Sequence, residues 1–233
     1  MNDKRMSLVS HLEELRWRIL WSLLYWVIGC VICYHLIPRL LDMTTPLLGG
    51  NKLIFTGPTE AFFAYLNAAM VGGACLVAPI VLYHILMFIL PGLERGERRW
   101  VLRLLPLSIV QFVLGCWFSL KMVLPTTMQF FLSFGTETLV PQIKIGEFIS
   151  FVVTTTVLCG VIFELPIVLF FLSAIGLVSS RFLIRQRRMA YFLAFVVAAV
   201  STPTPDAFTA TMVALPILIN YELSLILIRF SGK

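Results

Sequence analysis

Charge is scarce in this sequence. Asp, Glu, Lys and Arg make up 13% of its 233 residues, against 59% hydrophobic, and the mean hydropathy is +0.94. Soluble domains carry about 25% charge, so the composition excludes that class and reads as an integral membrane protein. There is no long linker, no internal repeat and no low-complexity tract, which leaves one membrane domain over 1–233. Phosphate-loop, GxSxG and HExxH patterns are also missing. The five cysteines (Cys30, Cys33, Cys75, Cys116 and Cys159) fall in or near apolar runs and read as small packing residues. His11, His35 and His84 are scattered and nominate no ligand set. The expectation is therefore a protein that is not an enzyme and carries no metal and no cofactor. The opening "MNDKRMSLVSHLEELRWR" is polar and holds no small-residue cleavage site, which predicts no cleavable signal.

What is present is a series of apolar runs. The spans predicted from them are 19–41, 65–90, 101–124 and a fourth around 156–177. Seventeen residues separate Arg188 from Asp206 and fifteen separate Asp206 from Glu222, giving a fifth and a sixth span joined by "STPTPD". As helix these last two cover roughly 23–26 Å, short of an average hydrocarbon core of about 30 Å. Such spans either shelter behind longer neighbours or thin the bilayer. The expected fold is all-α: six transmembrane helices, the last two short, with both termini on one side.

Lysine and arginine placement gives the orientation. One side carries Lys4, Arg5, Arg16, Arg18, Arg95, Arg98, Arg99, Arg103, Arg181, Arg185, Arg187, Arg188, Arg229 and Lys233. The other carries only Arg39, Lys52, Lys121 and Lys144. Fourteen against four predicts cytoplasmic termini. The same rule accounts for the net charge of +6 with no nucleic-acid partner.

Three acidic features carry the chemistry. Glu164 has sixteen uncharged residues on either side, so it lies near mid-depth, where a carboxylate costs at least a few kcal/mol. Pro166 follows two residues on, lacks an N–H and crowds the Ile162 carbonyl. The helix is predicted to bend there and free an acceptor beside the carboxylate. Glu164 then either ties two helices together as a neutral acid or makes a functional contact with a proton, water or a partner. The second feature, "FILPGLERGERRW" (88–100), sets Glu94 and Glu97 among arginines, as a self-neutralised turn or as carboxylates offered to a cation. The third, "SHLEELRWR" (10–18), reads as a helix capped by Ser10, with Glu13 completing a capping box and Glu13 and Glu14 in the first turn.

These segments resemble one family in order and spacing along essentially the whole chain. "HLEELRWR", "TTPLL", "TGPTEAFF", "FILPGLERGERR", "GVIFELP" and "TPTPDAFTATMVALPILINYELS" are similar to the motif series of the TatC family, the multispanning signal-peptide receptor of the twin-arginine protein translocase. The resemblance implies a function: binding twin-arginine signal peptides at the cytoplasmic face. It also implies nucleating a translocase that moves folded proteins across the cell inner membrane on the proton-motive force. By motif position it assigns signal-peptide binding to Glu14, Arg16, Phe88, Glu97, Arg98 and Arg99, an intramembrane polar contact to Glu164, and outer-side roles to Pro46 and Asp206. The polar residue the family has four places after that aspartate is Ala210 here. Implied partners are TatB-like and TatA-like single-span subunits, the lipid bilayer and an oligomeric complex. Gln111, Asn67 and Glu222 join Glu164 as polar residues able to recruit a partner helix. The competing reading from the residues is a proton-coupled small-solute transporter with Glu164 as proton carrier, which predicts internal repeats.

Overall fold

The structure, a computed structural model, describes residues 8–89, 95–136, 140–174, 176–201 and 207–230. Side chains of 95–105 in its third helix are outside the description, as is Asp206 altogether.

The first helix, α1 (Leu8–Thr44), is one uninterrupted run of 37 residues, about 55 Å at 1.5 Å per residue. The amphipathic start and the first span are thus one element. This corrects the capping expectation: Ser10 lies inside the helix, and no acidic residue stands in its first turn. Glu13 and Glu14 are in the second. A turn of 3₁₀ helix (Thr45–Leu48) follows, closed by Gly49 in the left-handed region at φ 58°, a conformation cheap only for glycine. The second helix, α2, spans Glu60–Ile89.

The third helix, α3 (Arg95–Phe118), continues through a π stretch (Ser119–Val123) into α4 (Leu124–Leu132). Pro125 explains the π stretch: it has no N–H to give the Lys121 carbonyl and its ring crowds that oxygen, so the ladder shifts by one residue. The third span accordingly reaches beyond 124. The fourth is α5 (Ile145–Phe163) followed by α6 (Leu165–Ala174). Their break is at Glu164, where the Pro166 argument places it. A short α7 (Ser180–Arg185) leads into α8 (Arg187–Ser201) and α9 (Ala207–Phe230).

Among the described residues five helices are long and apolar enough to cross a membrane. The sixth apolar helix, α8, has 15 residues. The uncharged stretch of α9 is short, but the helix runs on past Glu222 to 24 residues, because a terminal carboxylate and arginine at the membrane surface do not interrupt helix formation. Two strands of two residues, β1 (Leu53–Ile54) and β2 (Ile143–Lys144), pair in parallel across the connection between α1 and α2 and the one between α4 and α5. They are too short for an alternation pattern to announce them.

At the centre sits α5. One face packs Ile149 and Val153 against Ile37 of α1 and Ala64, Ala68 and Ala69 of α2. Phe148 and Val152 meet Leu48, Leu124 and Met128. Its far end meets α8 and α9 through Cys159, Ile162, Ala194, Ala198, Val213 and Ala214. Small residues set the crossings, as membrane helix pairs require. A Cβ on Gly73 would come 2.6 Å from the Cys30 backbone N, and one on Gly115 would come 2.6 Å from the Cys159 carbonyl oxygen. The cysteines serve here as small packing groups beside those glycines.

Candidate functional site

Helical periodicity assembles the first site. His11, Glu14 and Arg18 are spaced i, i+3 and i+7 and share a face of α1. The Arg18 Nε donates to Glu14 Oε1 at 2.9 Å and its Nη2 bonds the same oxygen. The other oxygen, Oε2, is buried and accepts no hydrogen bond among the described residues; His11 Nδ1 lies 3.8 Å from it. The His11 ring stacks on Phe88 of α2, centroids 4.1 Å apart and 8° from parallel. So the last turn of α2 meets the first turn of α1, with His11 standing between Phe88 and the Glu14 carboxylate.

Below this point an apolar groove of about 560 Å³ runs between α1 and α2, lined by Leu15, Ile19, Trp26, Val81, Ile85 and Phe88, with Arg18 and His84 also on its wall. Glu14 reaches this groove through Arg18 on its wall and, by way of His11, Phe88; a carboxylate so placed can take a planar cation while the groove takes an aliphatic segment.

Of the sequence-predicted binding residues, Glu14 and Phe88 come together. Arg16 does not join them: two residues from Glu14 on a helix, it points to another face and is exposed. Arg18 and His11 take the places next to Glu14. The i, i+4 spacing of Glu14 and Arg18 was available in the sequence; the His11–Phe88 stack required knowing that α1 and α2 pack side by side. Glu97, Arg98 and Arg99 lie in the first turns of α3, with side chains outside the described ones. Pro46 is exposed in the 3₁₀ turn, its carbonyl accepting from the Gly49 N–H at 3.4 Å. The neighbouring Leu48 anchors that turn in the core at 1% exposure.

At mid-depth, Glu164 takes φ −75° and ψ −13° between α5 and α6. Its N–H donates to the Val161 carbonyl at 3.1 Å, and its own carbonyl accepts from Ile167 and Val168 at 3.0 Å. The Ser108 hydroxyl of α3 donates to Glu164 Oε1 at 2.8 Å. The second oxygen is buried without a hydrogen-bond partner among the described residues. Glu164 is therefore turned inward, 8% exposed, rather than toward lipid. Ser108 had no signal in the sequence.

Glu222 is also engaged: Arg187 Nη2 donates to its Oε2 and the Tyr191 hydroxyl to its Oε1, each at 2.6 Å. Of the four polar residues proposed to face a partner, Asn67 is exposed and Gln111 half-buried. Ala210 is buried and packs rather than hydrogen-bonds. Among the described residues no group of three or more His, Cys, Asp or Glu stands close enough to hold a metal.

Comparison with known proteins gives a consistent answer. A family profile described as "Sec-independent protein translocase protein (TatC)" matches residues 10–216. The chain is 38% identical over 232 residues to the protein of that name from Carboxydothermus hydrogenoformans, covering 99% of this chain and 96% of the relative. It is 40% identical over 236 residues to the one from Desulforapulum autotrophicum, covering 99% and 87%. A crystal structure of a twin arginine translocase receptor, TatC, superposes with a TM-score of 0.81 at 32% identity, covering 94% of this chain and 99% of that one.

Proposed function

This chain belongs to the TatC family of Sec-independent protein translocase proteins, and from that premise we propose that it is the receptor for twin-arginine signal peptides. In this reading both termini and the Glu14–Phe88 site face the cytoplasm in the inner membrane, as the lysine and arginine distribution favours. Single-span TatA-like and TatB-like subunits complete an oligomeric translocase.

The observation that carries the site is the convergence of Glu14, Phe88 and the apolar groove at one end of α1 and α2. Guanidinium and carboxylate pair through two parallel hydrogen bonds, a geometry lysine cannot copy. The Glu14 carboxylate already accepts one guanidinium, that of Arg18, on its Oε1. An incoming arginine takes up this carboxylate by displacing Arg18 from Oε1 or by pairing with Oε2, with His11 moving aside. A second arginine needs a second acceptor, and Glu97 is the acid the sequence supplies on the same side. The apolar stretch of the peptide then follows the groove past Ile19 and Trp26.

Binding of a labelled signal peptide to the purified protein in nanodiscs tests this. An Arg-Arg peptide is expected to bind at least tenfold more tightly than its Lys-Lys counterpart, and Glu14→Gln or Glu97→Gln is expected to abolish the difference. Equal binding of both peptides to the unaltered protein would sink the receptor reading.

A further inference from the structure

Between Glu164 and Asp206 the sequence has no acidic residue but four arginines, Arg181, Arg185, Arg187 and Arg188. They fall on the elbow between α7 and α8. Ser179 caps α7 by accepting from the Phe182 N–H at 3.2 Å. At the joint, the Gln186 N–H donates to the carbonyls of Phe182 and Leu183, and the Gln186 carbonyl accepts from Ala190.

Two consecutive residues of α9 hold both arms. The Tyr221 hydroxyl donates to the Leu183 carbonyl of α7 at 2.7 Å in a buried position. Glu222 takes Arg187 and Tyr191 of α8. Leu183 itself is buried with Ile167, Phe170, Leu225 and Ile228. The elbow is thus fixed to the bundle rather than hung from it.

This arrangement uses one arginine and leaves three. Arg181, Arg185 and Arg188 are exposed and make no ion pair among the described residues. The one acid that α9 brings to the elbow has both oxygens occupied. Beside these guanidiniums stand exposed apolar side chains, Phe182 at 54% and Met189 at 56%, with Phe192 further along α8 at 64%. Exposed apolar side chains interleaved with arginines favour the interface of a bilayer. That sets the arginines, one turn or less away, at the depth of the headgroup phosphates.

We propose that the α7–α8 elbow is a binding site for an anionic phospholipid, with the headgroup phosphate on Arg181, Arg185 and Arg188 and the acyl chains against Phe182 and Met189. Guanidiniums on one elbow whose nearby carboxylate, Glu222, is already engaged favour a phosphodiester bearing net negative charge over a zwitterionic headgroup, whose own cation they repel. The adjoining apolar side chains favour a lipid over a soluble phosphate. This proposal stands independently of signal-peptide binding.

Native mass spectrometry of the full chain in detergent tests it, with titrations of phosphatidylglycerol, phosphatidylcholine and inorganic phosphate. The unaltered protein is expected to hold phosphatidylglycerol at least tenfold more tightly than phosphatidylcholine. The R181Q/R185Q/R188Q variant is expected to lose at least tenfold in phosphatidylglycerol affinity. A control removing three other positive charges, R39Q/K52Q/K121Q, should keep it. A thermal melt matching the unaltered protein certifies the fold of the triple variant; if that variant does not fold, R185E is read in the same way, with the same loss expected. Unchanged phosphatidylglycerol affinity in the elbow variant overturns the proposal. So does equal retention of phosphatidylcholine, or inorganic phosphate displacing the lipid at matching concentration.

Discussion

Ser108 and Glu164, fifty-six residues apart, meet in the interior of the bundle through a single hydrogen bond of 2.8 Å. The contact joins α3 to the break between α5 and α6. It supplies one hydrogen bond to a carboxyl group whose other oxygen has none among the described residues. Ser108→Ala leaves both oxygens unsatisfied and is expected to destabilise by about 1–2 kcal/mol. Thermal melts of S108A, E164L and the double variant check this. The pair is coupled if the double variant loses less than the sum of the singles, and additive losses would show that the bond carries nothing.

Close backbone approach makes a sharper prediction. At Gly73 and Gly115 an added methyl would meet backbone atoms at 2.6 Å, which have no rotamer to escape into, whereas at Gly57 it meets nothing within 4 Å. Gly73→Ala and Gly115→Ala are each expected to cost about 1–3 kcal/mol, and Gly57→Ala to stay within about 0.5 kcal/mol. Equal melting temperatures for all three variants would contradict the crossings described.

Removing the Glu222 carboxylate strands Arg187, whose Nε already has no hydrogen-bond partner among the described residues. Glu222→Leu is expected to cost about 1–3 kcal/mol, and Tyr191→Phe about 1 kcal/mol or less because only one hydroxyl is lost. Denaturation followed by tryptophan fluorescence gives the order, and the reverse order would mean that Tyr191 rather than Arg187 holds α8.

Bilayer thickness should be felt through α8. Fifteen residues of helix reach about 23 Å, several Å less than a typical core. Reconstitution into lipids of increasing acyl length is expected to give maximal thermal stability in the thinner bilayers, declining by fractions of a kcal/mol per Å of mismatch. A maximum in the thickest lipids would show instead that neighbouring helices fully shelter α8.

The sequence was most informative where a single residue forces the backbone. Pro166 places the break at Glu164, and the charge gaps around it place the span. It said less wherever two distant elements had to be brought together. Glu164 reads as a buried acid from its own neighbours, but Ser108 is an ordinary serine until α3 packs beside α6. The motif series names Arg16, yet helix geometry puts Arg18 beside Glu14. Polarity alone set the start of the first span at 19, because a charged first turn and an apolar run look like two elements; a helix passing from water into lipid needs no boundary there. The strands at 53–54 and 143–144 fall below any periodic signal and exist only because the α1–α2 and α4–α5 connections lie against each other.

That strand pairing has a mechanical consequence. Leu53 and Ile143 are ninety residues apart in the chain, and their backbone pairing closes α2, α3 and α4 into a loop staked at its outer end. Parting the spans at that end means breaking backbone hydrogen bonds, while at the opposite end only five residues of chain separate α2 from α3. The loop is therefore held at both ends, by backbone pairing at one and by chain connection at the other, so α2 and the α3–α4 unit resist splaying and shift as one body against α1.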